Sequence, residues 1–409
     1  MTSTTDYDLI IIGGGMVGLS LAIDSARAGL TIALVEQGIP EPLTPVAGVY
    51  APRVSAISRQ SQRFLSRLGA WQRLPQGRAC AYRQMRVWDG QGQGRIGFDA
   101  DDVQTEELGH IVENHWLINA LWQQAEQLPG INLLAGRTLD LWHSLEDHVQ
   151  VNLSDGQQLT ARVLAACDGR FSAVRRDANL GTREWDYDQQ AIVTTVRHQH
   201  CHNGVAQQVF LDTGPLAFLP LQDEQGDQQS SSIVWSVDNN AARPLLDLSK
   251  ADFLTALNRA FEHSLGELND CDERHSFPLQ QMHSKSYLAP RMVLLGDAAH
   301  AIHPLAGQGV NLGFQDAEIL AAEWQRAAHR GEDPGNERIL RRYQRQRKGH
   351  NLAAMAAVEG FKRLFGSHHP LAVLGRNWGM TQLDRYSLVK RPLIRTALGS
   401  VKPKQSPLA

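Results

Sequence analysis

The feature that most constrains this chain is a short apolar run feeding straight into glycines. Residues 8–12 read DLIII, and Gly13-Gly14-Gly15-Met16-Val17-Gly18 follows at once. A run that is apolar on both faces predicts a strand buried on both sides, as in a parallel sheet. The G-x-G-x-x-G order then divides three tasks. Gly13 permits a tight turn, Gly15 lets the backbone approach a bound pyrophosphate, and Gly18 lets the next helix pack close to the sheet. The spacing predicts a helix from about Met16 to Ala28 and a second strand, TIALVE, over 31–36. Free N–H groups and the positive dipole end of that helix would face phosphates. Glu36 ends the second strand, where a carboxylate binds ribose hydroxyls and disfavours a 2′-phosphate. Such a site prefers FAD or NAD to NADP.

Two later junctions repeat the pattern of an apolar strand running into an aspartate-glycine or glycine-aspartate turn. They span 162–178, containing Asp168-Gly169, and 291–325, containing Gly296-Asp297. An aspartate at a strand's carboxyl end sits where open α/β sheets bind ligands, and Asp297 could hold a ribityl or ribose hydroxyl. Downstream, Pro304, Gly307, Gly309 and Asn311 lead into another helix whose exposed backbone suits negative charge. Between these junctions the texture turns to strands, at 191–197, 206–211 and 231–237, with a hairpin at 84–98 assigned to the same inserted sheet. Residues 334–358 read as a polar-faced helix.

The expected fold is α/β: a Rossmann-like doubly wound FAD-binding domain with an inserted β-rich substrate domain and a C-terminal helical tail. The cofactor domain takes residues 1–80, 101–182 and 284–360. The substrate domain takes a hairpin at 81–100 and residues 183–283, and 361–409 form a basic tail. A length of 409 residues suits two domains.

Charge and cysteines exclude several functions. A net charge of −3 gives no reason to expect nucleic acid. Cys80, Cys167, Cys201 and Cys271 are scattered without a C-x-x-C pair, which argues against a zinc ribbon or dithiol centre and fits a reducing cytoplasm. The acidic start lacks a signal peptide's basic end. The run from Leu9 to Ile23 reads as strand, turn and helix, not as a membrane span. From Phe361 onward there are nine Lys/Arg and one acidic residue, interleaved with apolar side chains. That composition fits either a helix lying on anionic lipid or a solvated helix packing its apolar side on the body.

The element around Asp297, running to Asn311, resembles the flavoprotein aromatic hydroxylases of the para-hydroxybenzoate hydroxylase superfamily. Asp168-Gly169-Arg170-Phe171-Ser172-Ala173-Val174-Arg175 resembles that family's D-G-x-x-S-x-V-R segment, associated there with both FAD and nicotinamide nucleotide. Arg53-Val54-Ser55-Ala56-Ile57, Gly109-His110-Ile111-Val112-Glu113-Asn114 and the run from His303 to Gly313 resemble the ubiquinone-biosynthesis hydroxylases. The phrases at Val87-Trp88-Asp89, 217–221 and 233–236 most resemble the bacterial 2-octaprenylphenol hydroxylases among them.

The resemblance implies an FAD-dependent monooxygenase. NADPH or NADH would reduce the flavin transiently, and O2 would form a C4a-hydroperoxide that hydroxylates the ring of a polyprenylated phenol. It places Gly13, Gly15, Gly18, Glu36, Arg53, Asp168, Gly169, Asp297, Pro304, Gly307, Gly309 and Asn311 at the cofactor, with Asn311 near the flavin's pyrimidine edge. Phe218, Leu219, Pro220 and His303 are expected on the substrate side. The run LAFLPL at 216–221 offers no cationic grip for a benzoate carboxylate, so a neutral, greasy phenol fits better. No residue is assigned to proton transfer. The protein is expected in the cytoplasm as a homo-oligomer, with contact at the inner membrane face and membership of a biosynthetic complex left open. The rivals are an FAD-dependent reductase or hydroxylase of another hydrophobic substrate, and a non-catalytic flavoprotein subunit. The R-H-Q-H-C-H-N run at 197–203 is expected not to hold a metal, and the arginines of 341–347 are expected on a solvated helix face.

Overall fold

The computed structural model describes residues 5–302, 309–366, 369–385 and 391. Its first sheet contains β1 (Tyr7–Ile12), β2 (Ile32–Glu36), β8 (Ile131–Ala135), β11 (Gln158–Ala166), β18 (Leu288–Ala289) and β19 (Met292–Leu294), in the order β18-β19-β11-β1-β2-β8. β9 (Leu139–Ser144) and β10 (Val149–Leu153) extend it as an antiparallel ribbon on β11. β19, β11, β1, β2 and β8 run parallel. Leu9, Ile10 and Ile11 are fully buried, as a strand covered on both faces requires. The covering helices include α1 (Met16–Arg27), α3 (Asn114–Glu126), α7 (Gly309–His329) and α8 (Glu337–Phe365).

Register is what assembles the three sequence motifs. Ile12 lies beside Val35 and Ala166, and Ala166 lies beside Leu294. The carboxyl ends of β2, β1, β11 and β19 therefore form one row. Gly13, Asp168 and Asp297 each follow that row by one to three residues.

A three-stranded sheet of β3 (Val54–Ser58), β7 (Gly109–Glu113) and β4 (Ala79–Tyr82), with α2 (Arg59–Arg67), stands between this domain and a larger sheet. The larger sheet comprises β5 (Gln84–Asp89), β6 (Arg95–Asp99), β12 (Thr182–His198), β13 (Val205–Leu211), β14 (Gly214–Pro220), β15 (Ser230–Asp238), β16 (Leu268–Cys271), β17 (His275–Ser284) and β20 (His300–Ala301). Its main order is β20-β17-β12-β15-β14-β13-β5-β6. The 84–98 hairpin and the strands after residue 182 thus share one sheet, through a parallel pairing of β5 with β13. One face packs on α5 (Asn239–Asp247) and α6 (Lys250–Ala260), around Ile233, Trp235, Phe253 and Phe261. The other face turns toward the cofactor domain, where Ala217, Leu219 and Leu221 meet Tyr50, Ala56 and Ile111. The short α4 (Ala173–Asp177) follows the Asp168-Gly169 turn.

The last described helix, α9 (Pro370–Arg385), attaches by apolar and polar side chains together: Met380 and Leu383 pack with Val87, Ile96, Phe210 and Phe365. The buried Arg376 donates to Asp89 from Nε at 2.6 Å and Nη2 at 3.1 Å, and Asn377 Nδ2 donates to the same carboxylate at 2.8 Å. Leu371, Leu374 and Trp378 point outward, each at least two-thirds exposed. Of the two readings of the tail, α9 therefore shows features of both: part of its apolar surface packs on the body, and these three side chains stay exposed. Among the described residues, no helix is long and apolar enough to cross a membrane.

Candidate active site

At the end of β1, Gly13 takes φ +105, and a Cβ there would sit 2.4 Å from the Cys167 carbonyl oxygen. Gly18 lies equally tight, its added Cβ 2.0 Å from the Gly13 oxygen. Gly15 is different: nothing lies within 4 Å of an added Cβ. Two glycines are demanded by packing within the fold, and the third borders open space at the N-terminus of α1. That is the place for a ligand's phosphates. Glu36 folds back on the same turn, accepting from Gly14 N at 2.6 Å and Gly38 N at 2.8 Å. Each carboxylate oxygen retains acceptor capacity for a ribose hydroxyl.

Asp168 follows β11. Its Oδ2 accepts from Val174 N at 3.3 Å, whereas Oδ1 is buried without a hydrogen-bond partner. Burial raises this carboxyl above its ordinary value, partly offset by hydrogen bonds from Ser172 and backbone N–H groups. An orphaned acceptor beside Gly169, which also borders open space at φ +79, is the local signature of a missing donor. The neighbouring Cys167 thiol is pushed far up by burial, as a packed residue rather than a redox thiol would be.

Asp297 is exposed between the buried Gly296 and Ala298. Protein nevertheless surrounds it closely enough for desolvation to raise its carboxyl, while His300, Arg53 and Arg170 pull it down. Arg53 therefore lies within electrostatic reach of Asp297, and its guanidinium sits 5.7 Å from the Phe277 ring centroid. Asp297 thus keeps solvent access while protein crowds its carboxylate. An FAD-sized ligand fits these residues: phosphates at Gly15, ribose at Glu36, and hydroxyl donors for Asp168 and Asp297.

Asp316, Arg347 and Asn351, not anticipated from the sequence, hold the Asp297 turn together with His300. Asp316 of α7, fully buried, accepts from Gly296 N at 3.1 Å and His300 Nε2 at 2.5 Å through Oδ2. Through Oδ1 it accepts from Arg347 Nε at 2.6 Å and Asn351 Nδ2 at 3.2 Å. Burial alone would raise Asp316, but His300 and Arg347 hold it well below the usual carboxylate range. Asn351 continues to the Tyr287 hydroxyl at 3.3 Å, which meets His283 Nε2 at 3.0 Å. The expected solvated face at 341–347 holds for Arg341 and Arg345, which are exposed, and fails for Arg347, 2% exposed beside the fully buried Tyr343. The signal was an i, i+4 triplet, Tyr343-Arg347-Asn351, on one side of α8.

Asn311, expected near the flavin's pyrimidine edge, has its side-chain amide taken up within the protein. Its amide clamps β3, with Oδ1 accepting from Ser58 N at 3.0 Å and Nδ2 donating to Ala56 O at 2.8 Å. Gly309 begins α7 as expected. His303, Pro304 and Gly307 lie outside the described residues.

Strand alternation separates the substrate-side residues. Leu219 faces the cofactor domain. Phe218 lies on the opposite face, stacked on Phe261 with centroids 3.6 Å apart, so the structure does not bring it to the site. Pro220 ends β14 buried. In the 197–203 run, His198 bonds to the His200 carbonyl and Ser231 Oγ, and His202 to the Leu221 carbonyl. Among the described residues no group of three or more His, Cys, Asp or Glu is placed to hold a metal.

Comparison with known proteins agrees with this arrangement. Residues 6–358 match the family model described as an FAD binding domain. Ubiquinone biosynthesis monooxygenase COQ6, mitochondrial, of Danio rerio is 34% identical over 96% of this chain and 89% of its own length. Ubiquinone hydroxylase UbiL of Rhodospirillum rubrum is 35% identical over 97% and 90%. The chain belongs to the ubiquinone-biosynthesis family of FAD-dependent monooxygenases. A third member, 3-demethoxyubiquinol 3-hydroxylase of Escherichia coli, is 32% identical over 96% of this chain and 98% of its own. Among solved structures, p-nitrophenol 4-monooxygenase PnpA of Pseudomonas putida superposes with a TM-score of 0.78 at 20% identity, covering 97% of this chain and 99% of that one. At that identity the likeness is one of fold.

Proposed function

We propose that this chain hydroxylates the aromatic ring of a polyprenylated phenol, using O2 and a reduced nicotinamide. The observation that carries the substrate class is the sheet face turned toward the FAD motifs. Its central positions are Ala191, Val193, Ala217, Leu219 and Val234, all apolar, and an ionised benzoate placed over them would lose its hydration without gaining a counter-charge. A neutral ring with an apolar chain gains from the same surface, at roughly 25 cal/mol per Å² buried. Bound FAD would supply the oxygen-activating redox chemistry. The chain's own residues seat it: Gly15 and the α1 N-terminus receive its phosphates, Glu36 a ribose, and Asp168 and Asp297 its hydroxyls. Asp316 holds the Asp297 turn through Gly296 and His300.

For the donor, a recess of about 360 Å³ along α4 and the start of β12 is lined by Phe171, Arg176, Asn179 and Glu184. Phe171 is 77% exposed and offers an open aromatic face next to Arg170 and Arg176. The outward apolar residues of α9, in a segment rich in Lys and Arg, support a peripheral contact with an anionic membrane surface.

The test is turnover of a prenylated phenol by the FAD-loaded protein under ¹⁸O2. One labelled oxygen in the product, with one nicotinamide oxidised per turnover, is the expected result. Nicotinamide oxidation with no label in the product would establish a reductase instead. No substrate-dependent oxygen uptake at all would favour a non-catalytic subunit.

A further inference from the structure

The cofactor-facing side of the larger sheet carries a continuous apolar strip. Leu219 and Ala217 pack with Tyr50 and Ala56, Val234 joins that group, and Val234 also packs with Ala191, Val193, Leu279 and Tyr187. Val234 is the only residue of β15 before Asp238 that is not buried. It stands in the middle of the sheet, paired with Val193 on one side and Ala217 on the other. Residues on either side of it in β15, Ile233 and Trp235, fill the opposite face against α5 and α6. Val234 can therefore be reached only from the cofactor side, so there is open space above the middle of the strip, while Ala191, Val193, Ala217, Leu219 and Leu279 on either side keep 3–8% exposure.

The two ends of the strip differ in chemistry. At the Leu219 end lies Ser232, cross-strand from Leu219 and 1% exposed, whose Oγ has no hydrogen-bond partner. A buried hydroxyl without a partner is matched by a polar ligand atom. At the other end the Tyr187 hydroxyl is hydrogen-bonded to Gln281 of β17 and, at 3.0 Å, to Glu359 of α8. Lys362 Nζ stands 3.4 Å from the centroid of the Tyr187 ring. Just outside this polar latch, Phe361 and Leu364 of α8 are 56% and 43% exposed, and Trp185 of β12 is 43% exposed. From β14 to β17 the strip crosses three strand spacings, about 14 Å.

We propose that this strip is the track of the substrate's linear apolar chain. The ring oxygen lies at the Ser232 end, and the chain leaves the protein beneath the latch formed by Tyr187, Glu359 and Lys362, onto the apolar rim of α8. A substrate longer than the strip must extend past Tyr187. The exit then delivers it to exposed apolar side chains rather than to water. This inference rests on the polyprenyl reading above.

The test uses the FAD-loaded full chain and one phenol ring bearing no chain, or one, two or four isoprene units. Binding is read from the perturbation of the flavin absorbance spectrum, and turnover from oxygen uptake. In the wild type, affinity and kcat/KM should rise with chain length and level off once the strip is filled. Ala191→Phe, which fills the strip, should lower the long-chain to short-chain kcat/KM ratio at least tenfold. Glu359→Ala, which opens the latch, should change the dissociation rate of the four-unit phenol at least threefold. Hydroxylation that is independent of chain length would overturn the track and leave the proposed function standing. Length-dependent binding that Ala191→Phe abolishes, without hydroxylation of any phenol, would uphold the track and overturn the proposed function. Should Ala191→Phe fail to retain FAD, the Glu359→Ala dissociation rate decides, and an unchanged rate rejects the track.

Discussion

Replacing Asp316 with alanine removes a carboxylate that receives four hydrogen bonds and is the buried counter-ion of Arg347. Both side chains are shielded, at 0% and 2% exposure, so solvent screening gives little relief. Removing one partner of such a pair leaves an uncompensated buried charge, which costs about 3–5 kcal/mol. Arg347 keeps bonds to Gln315, the Leu312 carbonyl and Asn351, all from neutral acceptors, so the lower half of that range is the better expectation. Urea unfolding of the FAD-free protein measures it, since the network then acts without the cofactor. The double variant Asp316→Ala/Arg347→Met removes the stranded charge and should recover at least half of the loss. FAD affinity should not recover with it, because Gly296 and His300 still lack their acceptor. A single-variant loss below about 1 kcal/mol, or a double variant no more stable than the single, would refute the account of Asp316 as a charge-paired anchor for the Asp297 turn.

Other expectations follow from the same geometry. Gly15→Ala meets no atom within 4 Å and should fold normally but retain less FAD. Gly18→Ala, whose Cβ would lie 2.0 Å from a backbone oxygen, should lower thermal stability as well. Equal thermal losses in both would sink the division of roles. His198 and His283, both buried, are pushed down to about 4 by burial. Unfolding then takes up two protons as pH falls from about 6.5 to about 4, so stability should decline over that window. Their joint slope approaches about 2.7 kcal/mol per pH unit. Urea midpoints that stay level from pH 6.5 to 4.5 would contradict this. Exchanging Leu371, Leu374 and Trp378 for serine should reduce co-sedimentation with phosphatidylglycerol vesicles, and undiminished sedimentation would remove α9 from the membrane contact.

The elements legible in the sequence were those whose determinants are local. Apolar residues at 9–12, glycines at fixed offsets and an acidic residue at the next strand's end define the β1-α1-β2 unit within thirty residues. Motif order then placed Asp168 and Asp297 on neighbouring strand ends. What escaped was set by long-range pairing. Arg342 and Arg347 of α8 read as solvated because their acidic partners, Glu323 and Asp316, lie on another helix. Phe218 and Leu219 read alike as apolar strand residues, and only sheet register decides which of them meets the cofactor domain. Nothing local to Asn311 reveals that its amide reaches β3, some 250 residues earlier.

The parallel pairing of β5 with β13 also has a consequence for how the chain is made. Gln84 meets Val205, and Asp89 meets Phe210. On a ribosome adding about 5–20 residues per second, the β5–β6 hairpin emerges on the order of ten seconds before its partner strand exists. During that interval β5 offers an unpaired edge with Met85, Val87 and Trp88 uncovered. An isolated hairpin is only marginally stable. Newly made chains should therefore be most vulnerable to aggregation, and most reliant on chaperones, between synthesis of residue 99 and residue 211.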